Sequence, residues 1–185
     1  MSTLSIFNQS GKPVAATTHD FNAISAALTK VGVQFERWQA TEKLTADADQ
    51  ATVLSAYQDS VERLNQQYGF KSVDVVSLSP DHPQKDQMRQ KFLSEHAHAD
   101  FEVRFFVDGS GLFYLHVDDK VYLVLCQQGD LISVPANVKH WFDMGKNPNF
   151  KCIRFFTAEN GWEAAFTGDD IAKQFPSYDD HVARA

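Results

Sequence analysis

Apolar residues in the first half of the chain recur at helical spacing, with short alternating segments between them. From Asp20 to Val31 an apolar residue falls every three or four positions, Asp20 is a candidate N-cap, and Gly32 follows the end. Helices are predicted at three places: Asp20 to Val31, Asp47 to Tyr68, and Gln84 to Lys91. Alternating or continuous apolar runs predict strands at 3–7, 33–38 and 70–78.

From Phe92 onward the pattern changes to short runs rich in β-branched and aromatic residues. Strands are predicted at about 96–107, 112–117, 120–126, 131–135 and 150–157. Turn-forming clusters separate them at 108–111, 118–119, 128–130 and 146–148. Short strands at this spacing indicate a sandwich or barrel. We therefore expect one domain of the α+β class, mainly β, with helical elements at about 1–91, a barrel at about 92–160 and a C-terminal tail.

Composition narrows the class of protein. The chain has 185 residues, of which 43% are hydrophobic, enough for one domain with its own core. A formal charge of −7 without any basic run argues against a nucleic-acid or anionic-membrane partner. The N-terminal residues lack the features of a secretory signal. Cys126 and Cys152 lie in separate apolar runs, which favours two buried thiols over a disulfide. We expect a cytoplasmic protein.

The run Ser94 to Arg104, SEHAHADFEVR, concentrates metal-binding side chains. In an extended strand, alternate side chains share a face. One face then carries His96, His98, Asp100, Glu102 and Arg104, and the apolar residues between them form the other face. Imidazole and carboxylate suit iron, nickel, zinc, copper and manganese. The alternative for the two histidines is an ordinary hydrogen-bonded pair, because His-x-His is a short motif.

His140 is the predicted fourth ligand. It lies in the segment GDLISVPANVKHW (Gly129 to Trp141), and strands distant in sequence can meet in a barrel. Three imidazoles and one carboxylate leave two positions open on a six-coordinate metal. Structural zinc sites are closed and usually rich in cysteine, whereas an open site indicates Lewis-acid or redox chemistry on a chelating substrate such as an enediolate. No role is predicted for His19, His82, His116 and His181.

Two motifs now carry a resemblance. His96-x-His98-x3-Glu102-x6-Gly109 and Gly129-x5-Pro135-x4-His140 resemble the paired motifs of the cupin superfamily. Gln90, Asn137 and Met144 depart from common cupin residues, but none of these changes removes a ligand. More narrowly, EHAHADFEVRFFVDGSGLFYLHV together with GDLISVPANVKHWFDMG resembles the acireductone dioxygenase family. The resemblance implies a cupin-type β-barrel (jelly roll) with the metal site described above.

The resemblance also implies a reaction, that of methionine salvage on 1,2-dihydroxy-3-keto-5-methylthiopentene and O2. With Fe(II) the products are formate and 2-keto-4-methylthiobutyrate; with Ni(II) they are formate, carbon monoxide and 3-methylthiopropionate. We expect one Fe(II) or Ni(II) per chain, and the sequence does not decide between them. The chain is expected to be a monomer, with no nucleic-acid or membrane partner.

Two arginines are candidates for binding the substrate. Arg104 shares the predicted ligand face with Glu102, and a fixed cation there favours the doubly deprotonated enediolate, so Arg104 is also the predicted catalytic residue. The alternative is a solvated or salt-bridged arginine. Arg154 has the same apolar neighbours in sequence, and its alternative is a buried structural ion pair.

Other side chains are assigned around the site. Phe92, Phe142, Trp141 and Trp162 are candidates to line a pocket for the methylthioalkyl tail, although aromatics in a small barrel are more often core. Glu95, Asp100 and Phe101 are predicted to support the ligands without binding the metal. Asp100, on the ligand face, could orient an imidazole, and its alternative is an exposed carboxylate. For Glu95, a surface carboxylate or a guide for metal entry is an equal alternative.

Two other classes of function stay open at this point. One is a different cupin enzyme, an isomerase or another dioxygenase with the same ligands. The other is a non-catalytic cupin that binds a small molecule or stores metal, which predicts metal binding without oxygen consumption.

Overall fold

The computed structural model describes residues 1–41, 43–45, 47–158, 161 and 163–184. Its α-helices are α1 (Phe21–Thr29), α2 (Gln50–Ala56), α3 (Gln58–Tyr68), α4 (Lys85–Phe92) and α5 (Tyr178–Arg184), with a 3-10 helix at Ile171–Gln174. Its strands are β1 (Thr3–Asn8), β2 (Gln34–Arg37), β3 (Ser72–Leu78), β4 (His96–Ala97), β5 (Glu102–Val117), β6 (Lys120–Gln127), β7 (Asp130–Val134), β8 (Lys139–Asp143), β9 (Phe150–Phe156) and β10 (Ala165–Phe166). The chain is mainly β, as predicted.

The long strand β5 joins two halves of the sheet. Its first part pairs with β7 and β9, and its second part pairs with β6 and β8, all antiparallel. Strands β2 and β3 extend the first half, in the order β2-β7-β5-β9-β3, while the second half runs β1-β6-β5-β8-β4-β10. Buried side chains from both halves, such as Phe106, Phe113, Ile132 and Val124, share one hydrophobic cluster. The two halves therefore enclose a common interior.

The predicted turn at 108–111 is wrong, because β5 passes through it. A bulge between Phe106 and Asp108 shifts the register against β9 without ending the pairing. Gly109 follows with a φ of 71°, and a Cβ at this position would overlap the backbone carbonyl of Asn149. Glycine allows both the left-handed conformation and the close approach. The cluster of turn residues thus bends a strand instead of ending it.

The N-terminal half supplies strands and covering helices. Helix α1 is confirmed with its cap, since the Asp20 carboxylate accepts the Ala23 N–H at 2.7 Å. Strands β1, β2 and β3 pair with β6, β7 and β9, so these predicted segments are integral to the sheet. Helices α2 and α3, with Tyr57 between them, contribute Val53, Ala56, Tyr57 and Leu64 to a second cluster against the outer face of β5 and β9.

The single helix predicted from Asp47 to Tyr68 is wrong, because it is broken at Tyr57. The Tyr57 backbone leaves the helical conformation (φ −117°, ψ 17°), and its ring packs edge-on against Phe105, with centroids 4.6 Å apart. The carbonyl of Ala56 accepts hydrogen bonds from both the N–H and the hydroxyl of Thr41, each at 3.0 Å. Tertiary packing therefore outweighs the continuous helical pattern.

The structure also bears on the two cysteines and on membrane-spanning segments. Cys126 and Cys152 are buried and unpaired, as predicted. No helix within the described part of the chain is long and apolar enough to cross a membrane.

We expect Arg89→Met to lower the free energy of unfolding by about 3–5 kcal/mol, because it leaves a buried charge without its partner. Arg89 of α4 donates to both carboxylate oxygens of Asp143, at 2.7 and 2.9 Å, and the Asp143 side chain is 0% exposed. Urea denaturation measures the change. Arg63→Met is the control, because the exposed Arg63–Glu36 pair should contribute less than about 1 kcal/mol. Equal effects of the two substitutions would contradict the role assigned to Arg89.

Candidate metal centre

Three histidines come together where β4 meets β8. His96 pairs directly with His140 in the antiparallel register, and His98 follows two residues later, after the strand has ended. The ring centroids are 4.6 Å apart for His96 and His140, 5.0 Å for His96 and His98, and 5.2 Å for His98 and His140. One ring nitrogen of each lies within 4.8 Å of the others, and all three side chains are buried. Sequence reasoning thus predicted the right cluster, although it missed β8 as a strand.

Hydrogen bonds fix the same ring orientation in all three histidines. The Nδ1 atoms of His96, His98 and His140 lie 2.8 Å from the carbonyl oxygens of Ser94, Glu163 and Val138, respectively. A carbonyl only accepts, so each Nδ1 carries a proton, and in the neutral ring the lone pair is on Nε2. The buried Nε2 of His140 has no hydrogen-bond partner among the residues that the structure describes. Three lone pairs are therefore available to a shared ligand.

Glu102 brings a carboxylate to the same cluster. Its Oε2 lies 3.6 Å from Nε2 of His98, and its Oε1 forms an ion pair with Nη2 of Arg104, at 2.7 Å. Burial alone would raise the pKa of Glu102, but attraction from Arg104 and the imidazoles outweighs this and holds the pKa below its usual value. Glu102 is therefore an anion at neutral pH.

Burial acts in the opposite direction on the imidazoles. It lowers the pKa of His140 to about 4 and also lowers the pKa of His96, because the charged ring is poorly solvated. Neutral imidazoles beside an ionised carboxylate are the protonation states that metal binding requires. The donor set and the unpartnered Nε2 atom fit a divalent transition metal with nitrogen and oxygen ligands.

A cavity of about 530 Å³ opens from this cluster. Its other walls are mainly apolar: Val76, Met88, Phe92, Phe106, Phe113, Phe142 and Phe150. Phe92 ends α4 and Phe142 lies in β8, with ring centroids 6.4 Å apart. These two predicted tail-pocket residues therefore lie on the cavity wall. Trp141 does not, because it stacks on Tyr114 in a different hydrophobic cluster, and Trp162 lies outside the described residues.

The two predicted arginines differ in how they meet the cavity. Arg104 lines it beside Glu102, its side chain is only 20% exposed, and its buried Nη1 has no hydrogen-bond partner within the described part of the chain. Arg154 also lines it, but its guanidinium donates to both oxygens of Asp74, at 2.7 and 2.6 Å, and lies over the Phe156 ring. Arg104 therefore offers a free donor, whereas Arg154 forms an ion pair with Asp74 that is partly exposed, not the buried pair considered as its alternative.

Asp100 and Phe101 do not support the ligands as predicted, because the chain leaves the strand between Ala97 and Glu102. The Asp100 carboxylate accepts the backbone N–H groups of Thr157 and Ala158, at 2.7 and 3.1 Å, so it holds the chain after β9. Phe101 packs against Tyr68, with centroids 5.2 Å apart, in the cluster beneath α3. An unbroken strand would have placed Asp100 on the ligand face.

Glu95 is 1% exposed, so the surface alternative is wrong. Its carboxylate accepts from Nδ1 of His116 at 2.5 Å and from the Thr167 hydroxyl at 2.8 Å. It therefore anchors β4 from the side away from the cavity. His116, for which no role was predicted, is its partner.

Sequence reasoning missed the contribution of the C-terminal segment. Strand β10 pairs with β4, the Phe166 ring lies 5.6 Å from that of His96, and the Glu163 carbonyl holds His98. Every residue type has a backbone carbonyl, so the sequence gives no signal for the contact with His98. A two-residue strand is too short to show an alternation of apolar and polar residues.

Comparisons with known proteins agree with this architecture. The sequence model of the ARD/ARD' family matches residues 4–164. Acireductone dioxygenases from Methylococcus capsulatus and Aquifex aeolicus are 56% and 53% identical to the chain over 182 residues, covering 98% of it and 98% and 99% of their own lengths. A solved structure described as acireductone dioxygenase from Bacillus anthracis with a cadmium ion in the active centre has a TM-score of 0.78 and 30% identity, covering 90% of this chain and 98% of that one. This likeness confirms the mainly-β cupin fold, and the chain belongs to the ARD/ARD' family.

Proposed function

We propose that this chain is an acireductone dioxygenase of methionine salvage. The reaction is the O2-dependent cleavage of 1,2-dihydroxy-3-keto-5-methylthiopentene, to formate and 2-keto-4-methylthiobutyrate with iron, or to formate, carbon monoxide and 3-methylthiopropionate with nickel. The observation that carries the proposal is the three-histidine cluster with Glu102, at one end of a largely apolar cavity and beside the free N–H donor of Arg104. Family membership supplies the substrate class.

His96, His98, Glu102 and His140 are the residues that would hold one Fe(II) or Ni(II) ion. Their neutral Nε2 atoms and ionised carboxylate are a nitrogen and oxygen donor set, which both metals accept. Bound there, the ion supplies Lewis-acid and redox chemistry. The carbonyl partner of each Nδ1 keeps each ring turned toward the cluster.

Arg104 is the residue that favours the deprotonated form of the substrate. Glu102 holds its Nη2, which leaves the buried Nη1 N–H to bind an enediolate oxygen in the cavity. A fixed cation in a site shielded from water stabilises the anion and so lowers the pKa of the enediol. Burial matters because solvent would screen this attraction.

The apolar wall is suited to the methylthioalkyl tail. Phe92 and Phe142 provide aromatic contacts, with Met88 close by on α4. Arg154 adds positive charge to the wall while Asp74 holds its orientation. Trp162 stays a predicted contact of the same tail.

Gly111→Ala is expected to lower kcat/KM by about tenfold, mainly through KM, with metal content unchanged. A Cβ at position 111 would overlap the Cζ and Cε2 edge of the Phe142 ring and push that ring toward the cavity. Adding Phe142→Leu should recover most of the loss, because leucine lacks the ring edge. Steady-state kinetics of the two variants measure both effects. A loss confined to kcat, or no recovery in the double variant, would contradict this account of the wall.

Oxygen uptake tests the proposed activity. Iron-loaded protein mixed with acireductone should consume O2 in step with the fall of substrate absorbance, and the metal-free protein should not. A protein that binds metal but leaves O2 consumption at the background rate would be a non-catalytic cupin, and the proposal would fail.

We also propose that residues 1–185 form a single cupin domain that is monomeric and cytoplasmic. β1 belongs to the same sheet as the metal-binding strands, which supports one domain. The large exposed apolar residues of the described chain are few and separate in sequence: Met1, Val14, Phe166 and Val182. Light scattering of the purified protein tests the monomer, and a dimer mass would contradict it.

A further inference from the structure

The segment Glu163–Thr167 is joined to the metal-binding strand through its last three residues. Ala165 and Phe166 of β10 pair with Ala97 and His96 of β4. The N–H of Thr167 then donates to the Glu95 carbonyl at 3.0 Å. The segment is therefore an extra strand on the edge that carries His96.

His98 depends on this segment for its orientation. His96 and His140 each donate Nδ1–H to a carbonyl two residues earlier in the chain. The position of each partner is therefore set by the local backbone. His98 donates instead to the carbonyl of Glu163, 65 positions away. The tautomer and ring angle of His98 therefore follow the position of the C-terminal segment.

Little apolar burial holds this segment in place. Glu163, Ala165, Phe166 and Thr167 are exposed, and the Phe166 side chain keeps 50% of its surface in solvent. The hydrophobic contribution to docking is correspondingly small, because it scales with the apolar area removed from water. Hydrogen bonds to β4 must supply most of the specificity.

The Thr167 hydroxyl makes a strong bond of this kind. It donates to Oε2 of Glu95 at 2.8 Å, and that carboxylate is itself fixed by His116 of β5. A hydrogen bond to a carboxylate is roughly twice as strong as one between neutral groups, and burial of Glu95 removes competing water. The hydroxyl also accepts the Asp169 N–H at 3.2 Å, which continues the connection beyond the segment.

We propose that Thr167 is a positioning residue for the metal centre: its hydroxyl locks segment Glu163–Thr167 onto β4, and the Glu163 carbonyl then holds His98 with Nε2 toward the metal. The proposal rests on the metal site described under the proposed function. It assigns to the C-terminal segment a part in metal binding, without any direct ligand from it.

The test is the affinity of metal-free protein for Ni(II), measured by competition with a chromophoric chelator. Thr167→Val keeps the shape and β-branching but removes the hydroxyl, and it should weaken Ni(II) binding by about tenfold, the lower end of the range for partners of metal ligands. Thr167→Ser keeps the hydroxyl and should bind within about twofold of the wild type. Thr17→Val is the matched control. Thr17 is also an exposed threonine, and the substitution removes the hydrogen bond between its hydroxyl and that of Ser5.

A second measurement follows the imidazole directly. In 1H–15N spectra of the metal-free protein, His98 should be the Nδ1–H tautomer in the wild type and in Thr167→Ser, and a mixture of tautomers in Thr167→Val. Wild-type affinity in the valine variant, or equal loss in the serine variant, would overturn the proposal. Neither readout uses acireductone, so a wild type without dioxygenase activity would refute the proposed function and leave these outcomes intact. A wild type that binds no Ni(II) would overturn both.

Discussion

Replacement of His140 by alanine is expected to give a folded protein without bound metal. Among the described residues the buried Nε2 of His140 has no hydrogen-bond partner, so its lone pair is free to bind a shared metal ion. Its removal leaves two imidazoles and one carboxylate and should weaken metal binding by more than about 100-fold, beyond the range seen when only a ligand's partner is lost. The backbone pairing of β8 with β5 does not involve the side chain, so the fold should persist. Elemental analysis after dialysis, with circular dichroism, measures both results.

The same loss is expected for His96→Ala, since His96 faces His140 across the strands. His19→Ala is the control, because His19 is exposed and lies before α1, outside the cluster. Full metal content in either cluster variant would remove that histidine from the ligand set. Metal loss in the control would show that histidine removal acts through general instability.

Arg104→Met is expected to keep its metal and to lose turnover by about 100- to 1000-fold in kcat, the effect of removing one donor that stabilises developing negative charge. Methionine preserves much of the side-chain volume, so the cavity shape changes little. Glu102 stays buried beside the imidazoles, which preserves the ligand cluster when the metal is present. Steady-state kinetics with matched metal content separates lost chemistry from lost metal.

Arg104→Lys should recover only part of the activity, because an ammonium group carries the charge but cannot hold Glu102 and an enediolate with two fixed N–H groups. Arg63→Met on the surface should leave kcat unchanged. Turnover at the wild-type rate in Arg104→Met, with full metal content, would exclude Arg104 from the catalytic role.

The ligands could be predicted because metal chemistry restricts residue type and spacing. His96, His98 and Glu102 are close in sequence, so they lie close together whether the chain between them is strand or bend. The predicted geometry was nevertheless wrong in detail, since residues 98–101 leave the strand. Asp100 shows the consequence: the same face argument that found Glu102 misplaced this carboxylate, which holds Thr157 instead.

The features of the fold and the site that were not predicted depend on contacts that residue patterns do not encode. The break at Tyr57 comes from packing on Phe105, and the continuity of β5 comes from a bulge that tolerates turn-forming residues. Arg104 and Arg154 have similar apolar neighbours in sequence, and the proximity of Glu102 to Arg104 was predicted, but Asp74 opposite Arg154 was not. Such partners become known only when the register of the sheet is known.

Product analysis of one protein preparation, loaded separately with Fe(II) and with Ni(II), tests the central claim most directly. With acireductone and O2, the iron form should yield formate and 2-keto-4-methylthiobutyrate without carbon monoxide in the headspace. The nickel form should yield formate, 3-methylthiopropionate and carbon monoxide. Substrate decay no faster than with the free metal ions, in both forms, would contradict the assignment of this chain as an acireductone dioxygenase.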